Sequence, residues 1–423
     1  MNNHKFLITN ISQLLLCSSD KGRPLRGKKQ SQLELMENAA LLIEGDKILD
    51  FGDNSHFKKL YGEVEKIDAE FSVVMPGFVD PHTHLVFAGS REEEFLSRIK
   101  GEDYLSNLGK GKGILYTVEQ TRNASFEKLY EQAKKYLYKM LENGTTSCES
   151  KSGYGLDFDA EIRTLQINRK LQNDMQVLVP STLLAAHALP QEYQGDAQSF
   201  LTFIAEKIIP YVAENNLADF IDVFCEKGVF NAAQSEWILK QGQRYGMKPK
   251  IHTDEFFSIG GIEVAINTKA VSADHLMKTT QNDMIKLSST DIIGVVLPGT
   301  SFNISTTSND EYKYPRSLVD SNIPVAIGTD FNPGTCMCCS MQMMLELSVL
   351  KMGLSIEEAI NASTINSAFA CSLHQQAGSI EREKKANMIL LNIDNYKKIP
   401  YLWGINKVYK VLLNGKMLDF KND

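Results

Sequence analysis

An alternation of strand-like and helix-like segments from about residue 73 onward constrains the fold of this chain more than any other feature. Eight short apolar runs are typical of buried strands, and helix-like stretches separate them. The runs cover residues 73–79, 145–149, 176–186, 220–225, 249–252, 270–273, 292–297 and 324–328. Alternating β and α units predict a parallel sheet, and eight of them predict an α/β protein with a (β/α)8 TIM barrel.

Two of the intervening helices have clear end signals. The stretch 126–142 lies between Ser125, a suitable N-cap, and Gly144, a suitable stop. The stretch 232–245 follows Asn231, which can cap a helix in the same way. We therefore expect helices over both stretches.

The two chain ends differ from the middle of the chain. Short strand patterns separated by turn residues fill 1–72, and strand patterns return near the C-terminus around Asn414-Gly415, a hairpin-turn signal. We expect 1–72 and 382–423 to form one small β-sandwich domain beside a barrel domain of residues 73–381. The basic segment 20–34 is expected to be a solvated loop.

Charge and hydropathy narrow the range of partners. The net charge of −7 disfavours non-specific nucleic-acid binding, which needs a basic surface. No stretch reaches the roughly 18 apolar residues of a membrane span, so we expect no membrane partner. A small anionic substrate would need a local positive group rather than an overall positive field.

The cysteines indicate a reducing compartment. There are seven, an odd number, and their spacing forms no disulfide framework. We expect reduced thiols in a cytoplasmic protein. The cluster Cys336-x-Cys338-Cys339 could bind a soft metal, but the chain lacks the second Cys/His cluster that would complete four ligands.

Polar side chains follow the predicted strands, and in a barrel this rim is where chemistry gathers. His82 and His84 follow the first strand at a spacing of two, so both rings can point the same way. Such a pair alone is a weak signal. Further candidates at strand ends are His187, His252, His275 and Asp330. Three imidazoles and one carboxylate would make a catalytic ligand set for zinc or iron with room for a water.

The motifs around these residues resemble those of the amidohydrolase superfamily. The ordered set is Pro76-Gly-Phe-Val-Asp-Pro-His82-Thr-His84, followed by His252, His275 and Asp330. More specific matches lie in segments 84–95, 149–155, 185–188, 252–256 and 329–335. These segments are similar to the motifs of one branch of that superfamily. Members of this branch hydrolyse 4-imidazolone-5-propanoate, a cyclic amide with a propionate tail, to N-formimidoyl-L-glutamate. That reaction is the third step of L-histidine degradation.

The resemblance implies one metal ion per subunit, zinc or iron. Its ligands would be His82, His84, His252 and Asp330, in agreement with their spacing. Binuclear relatives bridge two ions with a carboxylated lysine or a glutamate after the third or fourth strand. Residues 183–190 contain neither, and only Cys225-Glu226-Lys227 could supply one. We therefore expect a single ion.

The resemblance also implies where the substrate binds. Arg91 would bind the propionate through its guanidinium fork, with hydrogen bonds from Tyr154 and Tyr104. The alternatives are pairing of Arg91 with Glu92–Glu94 and core packing of Tyr104. Contacts to the ring or to the opened product are implied for His187, Glu255, Asn332, Gly334 and Thr335.

The implied reaction is hydrolytic ring opening, with a metal-activated water attacking the ring carbonyl. His275 or Asp330 would take the proton from that water, and Glu255 would relay a proton to the leaving nitrogen. The residues leave open which group is the base.

Two other functions remain possible at this stage. Another amidohydrolase, such as a guanine deaminase, would share the metal residues but would not need Arg91 together with Tyr154. A non-catalytic relative that serves as a scaffold would usually lack metal ligands. A homodimer is the default expectation for such an enzyme.

Overall fold

The fold contains an eight-stranded sheet and a set of barrel strands, which form a seven-stranded sheet and a separate two-stranded pair and carry the polar residues of interest. The computed structural model describes residues 4–100, 113–304 and 311–420. The strands of the first sheet are β1 (Lys5–Leu15), β2 (Leu35–Glu44), β3 (Lys47–Asp53), β4 (Glu65–Asp68), β5 (Val73–Pro76), β15 (Met388–Leu391), β16 (Val408–Leu413) and β17 (Lys416–Leu418). The barrel strands are β6 (Phe78–Asp80), β7 (Thr145–Cys148), β8 (Ser150–Lys151), β9 (Ser181–Ala186), β10 (Phe220–Cys225), β11 (Lys248–Thr253), β12 (Ser272–His275), β13 (Ile293–Val296) and β14 (Val325–Ile327).

The first sheet, which we call the end sheet, contains strands from both ends of the chain. Its order is β17-β16-β15-β5-β1-β2-β3, with β4 paired to β1. The antiparallel pair β15–β5 joins the two ends. The Asn414-Gly415 turn lies between β16 and β17, as the sequence predicts. Both chain ends therefore share one sheet, while the two-layer sandwich stays a prediction.

The second sheet is parallel and wraps towards closure. Strands β8 to β14 follow one another in order, and β6 pairs with β7. Hydrogen bonds connect the segment after β14 to the segment after β6. In these, Asp330 N–H donates to the carbonyl of His82 at 2.9 Å and His84 N–H donates to that of Phe331 at 2.9 Å. This arrangement is of the TIM-barrel type that the strand–helix alternation predicts.

The first predicted barrel strand, 73–79, is wrong as a single element. Residues Val73–Pro76 pair within the end sheet, and Phe78–Asp80 begin the barrel. Gly77 lies at the transition, where a Cβ atom would come within 2.2 Å of the Thr146 hydroxyl oxygen. The close approach of these two chain segments requires a glycine, and the strand pattern alone does not reveal it.

The third predicted strand also starts later than expected. Residues Ser181–Ala186 form β9, whereas 176–186 were expected. The preceding helix ends at Met175, and its C-cap residue Gln176 has a left-handed conformation with φ of 55°. Pro180 then directly precedes the strand. The apolar run 176–186 is longer than the strand because its first residues, 176–180, connect the helix to the strand.

The helices cover the barrel and confirm the predicted end signals. Ser125 caps Phe126–Glu142, where its side chain accepts from Lys128 N–H. Asn231 forms a capping box with Gln234 on Ala232–Arg244. The remaining α-helices are Asn54–Leu60, Glu92–Ile99, Ile114–Asn123, Phe158–Met175, Ala197–Phe203, Ile209–Glu214, Gly261–Thr268, Gln281–Ser288, Pro298–Ile304, Tyr314–Asp320, Met341–Leu350, Ile356–Ala362, Ile365–Ala370 and Lys398–Tyr401.

Shorter turns complete the secondary structure. One π-helical turn, Ile204–Ile208, continues the helix Ala197–Phe203, and 3-10 turns form at Gly27–Lys29, Gln191–Tyr193 and Glu311–Lys313. Within the described parts of the chain, no helix is both long and apolar enough to cross a membrane.

Candidate functional site

A cavity of about 380 Å³ opens where the barrel strands end, and most of the predicted site residues line it. Those found in its wall are His84, Arg91, Tyr154, His187, His252, Glu255, His275, Asp330, Asn332 and Thr335. His82 lies behind this wall and is fully buried. Tyr104 lies outside the described residues. The barrel therefore brings together side chains that are separated by up to roughly 250 residues in sequence because parallel strands end on one rim.

Three histidines form the innermost group of the cavity. Ligand atoms of His82, His84 and His252 all lie within 4.8 Å of one another. The Oδ1 atom of Asp330 is 3.5 Å from the Nε2 atoms of both His82 and His84. His275 lies beside this group, with its ring centre 5.2 Å from that of His252. The spacing of these donors suits a single ion.

The chemistry of this group fits a metal ion. The Nε2 atoms of His82 and His252 and Nδ1 of His84 are buried and have no hydrogen-bond partner among the described residues. Buried polar atoms of this kind are normally satisfied. Burial also lowers the pKa values of His82 and His84 well below their usual range, which favours the neutral imidazole that binds metals.

Carboxylates behind the cluster hold the outer ring nitrogens. Nδ1 of His82 is 2.6 Å from Oδ2 of Asp274, and Nδ1 of His252 is 3.0 Å from Oδ2 of Asp222. Such contacts fix the tautomer and the direction of a ligand imidazole. The hydroxyl of Thr300 donates to Oδ2 of Asp330 at 2.6 Å, which leaves Oδ1 facing the histidines.

Two groups of the cavity favour their protonated form more than usual. Burial raises the pKa of Asp330 to about 6. The pKa of Glu255 lies well above its usual range because the carboxyl is buried and faces the carboxylates of Asp330 and Glu226. Oε1 of Glu255 is 3.7 Å from Nδ1 of His275. A carboxyl in this position can donate a proton as well as accept one.

The backbone at two of these residues is unusual. His275 has φ of +81° and Asp330 has φ of +50°. Both values lie at positive φ, which residues other than glycine rarely adopt. Non-glycine residues in this region are concentrated at functional sites, where surrounding structure holds the strain.

The other end of the cavity carries a buried arginine. Arg91 donates to Glu94 through Nε at 2.9 Å and through Nη2 at 2.7 Å, and both side chains are nearly inaccessible to solvent. A Cβ atom on Gly334 would lie 2.2 Å from Nη1 of Arg91, so this glycine makes space for the guanidinium. The pairing of Arg91 within 92–94, expected as an alternative, thus occurs inside the cavity wall and not on the surface.

Aromatic rings connect the two ends of the cavity. The ring of Tyr154 is 5.5 Å from that of His84 and 5.4 Å from that of His187. His187 stacks on His84 at 5.1 Å, and its Nδ1 lies 3.0 Å from the carbonyl oxygen of Gly153. Burial lowers the pKa of His187 to about 3, so its ring is neutral.

Asn332 organises the turn after Asp330. Its side-chain oxygen accepts from the N–H groups of Gly334 and Thr335, both at 2.8 Å, and its amide nitrogen donates to Thr335 Oγ1 at 2.8 Å. These bonds occupy the amide within the turn. A direct contact of Asn332 with a substrate therefore stays a prediction.

Sequence reasoning missed several residues of the cavity wall. They are Ile114, Leu115, Gln194, Phe224, Val229 and Phe256. These side chains are apolar or neutral, and no spacing pattern distinguishes them from core residues. The ring of Phe224, for example, lies 6.1 Å from that of His187.

Glu226 is the residue after the fourth strand that could have bridged a second ion. Its carboxylate instead accepts from the backbone N–H groups of Lys227 at 2.7 Å, Phe256 at 3.0 Å and Phe257 at 3.2 Å. These bonds direct it towards the loop after β11, which favours a single metal.

Comparison with known proteins gives consistent results. The profile of the amidohydrolase family matches residues 73–418. The imidazolonepropionase of Shouchella clausii is 41% identical over 410 residues, covering 96% of this chain and 91% of that protein. That of Alkaliphilus metalliredigens is 41% identical and covers 97% of both chains. The solved structure of E. coli guanine deaminase has a TM-score of 0.72, 14% identity and coverage of 99% of both chains, which indicates a shared fold.

Proposed function

The chain belongs to the amidohydrolase family and, within it, to the imidazolonepropionases, and from this we propose that it hydrolyses 4-imidazolone-5-propanoate to N-formimidoyl-L-glutamate. This reaction is the third step of L-histidine degradation. The observation that carries the proposal is a single cavity that contains both the histidine cluster and the buried Arg91. A cyclic amide with an anionic tail would contact both.

We propose that one zinc or iron ion is held by His82, His84, His252 and Asp330. The three imidazoles are close enough to share an ion, and their free nitrogens support this role. A bound ion of this kind acts as a Lewis acid and lowers the pKa of a water molecule at the site. His₃Asp suits either metal, so the choice depends on availability.

Arg91 would bind the propionate of the substrate. Its position in the wall and its pairing with Glu94 support this role because the pairing fixes the guanidinium before substrate arrives. Tyr154, Tyr104 and His187 would add hydrogen bonds to the tail or the ring. Gly334 and Thr335, with Asn332, would shape the loop on the other side.

The proton transfers would use His275, Asp330 and Glu255. His275 or Asp330 would accept the proton of the attacking water, because both lie beside the histidine cluster. Attack at the ring carbonyl breaks the adjacent C–N bond and turns that carbon into a carboxylate. Glu255, whose pKa is raised by burial, would deliver a proton to the departing nitrogen.

Three further features are proposed with this function. The end sheet would curl into a β-sandwich of 1–72 and 382–423 beside a barrel of 73–381. Support comes from one apolar core that includes Ile8, Leu41 and Met388, which lie on strands from both chain ends. A homodimer and a cytoplasmic location are the remaining proposals.

The test is a substrate assay on purified, metal-loaded protein. Incubation with 4-imidazolone-5-propanoate should remove the ultraviolet absorption of the imidazolone and yield N-formimidoyl-L-glutamate, whereas guanine should remain unchanged. Turnover of guanine but not of the imidazolone would favour a guanine deaminase function over the proposed one. Protein that binds no metal and turns over neither compound would favour a non-catalytic relative.

His275→Ala provides the matched variant for this assay. It should cut turnover strongly while the metal content stays near one ion per chain, because His275 is placed beside the ligands and not among them. Loss of the metal in this variant would instead make His275 a ligand and contradict its proposed role.

A further inference from the structure

A layer of buried charges lies directly beneath the histidine cluster, inside the barrel. It contains the lysines Lys151 and Lys250 and the carboxylates Glu149, Asp222 and Asp274, all at most 1% exposed. Lys151 and Glu149 belong to the motif at 149–155, to which the proposed reaction assigns only Tyr154. Charged residues are rarely buried this deeply unless they are paired.

Lys151 connects the carboxylates of this layer. Its Nζ atom is 2.8 Å from Oε1 of Glu149, 2.8 Å from Oδ2 of Asp222 and 3.6 Å from Oδ2 of Asp274. The Oδ2 atoms of the two aspartates are the same atoms that face Nδ1 of His252 and Nδ1 of His82. One ammonium group therefore lies between the two carboxylates that orient two of the proposed metal ligands.

The position of the Lys151 ammonium group affects how His82 and His252 are held. Two carboxylates that approach the same point repel each other, and in a buried site this repulsion is not screened by water. The ammonium group between them offsets the repulsion and fixes where each Oδ2 atom lies. Each oxygen then restricts the rotation and the tautomer of the imidazole that it faces.

We propose that Lys151 is a positioning residue for the metal site, which it preorganises by tying Asp222 and Asp274 together behind His252 and His82. This inference rests on the proposed metal site. Lys151 is not among the residues that line the cavity. Its effect on metal binding would pass entirely through the two aspartates.

The test measures Zn²⁺ binding directly. Lys151→Met removes the ammonium group but keeps a similar length and volume. Lys407→Met is the matched control because Lys407 is also buried, at 3% exposure, and pairs with the buried Glu346 away from the cavity. Zn²⁺ affinity would be measured by chelator competition, thermal stability by circular dichroism, and ligand geometry by the visible absorption of the Co²⁺-loaded proteins.

Both variants should lose thermal stability, since each removes the ammonium partner of a buried carboxylate. Only Lys151→Met should also bind Zn²⁺ roughly 10- to 100-fold more weakly, the usual effect of losing support behind a metal ligand. Its Co²⁺ spectrum should change, whereas that of Lys407→Met should match the unmodified protein. If Lys151→Met does not fold, Lys151→Gln is subject to the same criteria.

The outcomes separate this inference from the proposed function. Unmodified protein that binds no Zn²⁺ would overturn the metal site itself. Unmodified protein that binds one Zn²⁺, together with a Lys151 variant of unchanged affinity and spectrum, would overturn only the role of Lys151. Equal weakening in Lys407→Met would show that general destabilisation causes the effect.

Discussion

The two ends of the cavity are held by different kinds of structure. At the end that carries the histidine cluster, which we call the metal end after the proposed ion, His82, His252 and His275 lie on strands or shortly after them, and buried carboxylates face two of their rings. At the other end, Arg91 and Gly334 lie on connections outside the strands. The guanidinium there pairs with Glu94, a carboxylate within its own turn.

This difference indicates a division of tasks. The strands fix atoms whose positions must be accurate for metal binding and proton transfer. The connections can vary without disturbing the barrel, so they are suited to determine which substrate enters. Changes at the metal end should therefore affect turnover, and changes at the other end should affect the apparent affinity for substrate.

Removal of the metal should lower kcat more than any of the substitutions below. A smaller effect would contradict the division of tasks between the two ends of the cavity. Dialysis against a chelator should lower kcat by ~10³-fold or more, because metal stabilisation of the reacting oxygen contributes several kcal/mol. Added Zn²⁺ or Fe²⁺ should restore it. Metal analysis alongside the assay provides the check, and full activity in metal-free protein would contradict the prediction.

Glu255→Gln should have the next largest effect. We expect kcat to fall by ~10²- to 10⁴-fold with unchanged metal content, because the variant cannot transfer a proton. A proton donor is lost as the pH rises through its pKa. The alkaline fall in the kcat–pH profile of the unmodified protein should therefore be absent in the variant, and its persistence would assign that fall to another group.

Arg91→Gln should test the opposite end of the cavity. KM should rise by roughly 10- to 100-fold, the cost of a hydrogen bond to a charged group, while the metal content stays unchanged. Lys227→Gln serves as the control because Lys227 also lines the cavity but lies over the ring of Phe257. An equal rise in KM there would mean that overall charge, and not the Arg91 fork, attracts the substrate.

Gly334→Ala should produce a smaller change of the same kind. The added Cβ would lie 2.2 Å from Nη1 of Arg91, so the guanidinium must shift. We expect KM to rise less than in Arg91→Gln, with unchanged Zn²⁺ affinity. Loss of the metal in this variant would show that the two ends of the cavity are coupled.

Met388→Ala should leave the reaction nearly unaffected. Met388 is fully buried in the end sheet, so its truncation should lower the free energy of unfolding by about 2–5 kcal/mol. Steady-state kinetics below the unfolding temperature should give unchanged kcat and KM. A kinetic change would show that the end sheet communicates with the cavity.

Much of the barrel could be predicted because its signals are local. Apolar runs mark the strands, and caps such as Ser125 and Asn231 mark the helices. The convergence of the histidines also follows from the sequence, because parallel strands in a barrel all end on one rim. Knowing that His252 and Asp330 lie at or after the ends of strands is enough to place them near His82.

The predictions failed where a position depends on contacts between distant segments. The separation of Val73–Pro76 from Phe78–Asp80 depends on Gly77 meeting Thr146, and no strand pattern reports such a contact. Apolar wall residues such as Phe224 were missed because they look the same in sequence as core residues.

The sequence by itself thus determined the alternation of strands and helices, the rim and the set of candidate ligands, because periodicity and side-chain chemistry are properties of short segments. Only the tertiary structure decided how those ligands are supported. Lys151, Asp222 and Asp274 lie far apart in sequence, and their meeting beneath His82 and His252 results from the curling of the parallel sheet around a buried interior. In that interior each charge must find a partner, and the partner can come from any strand.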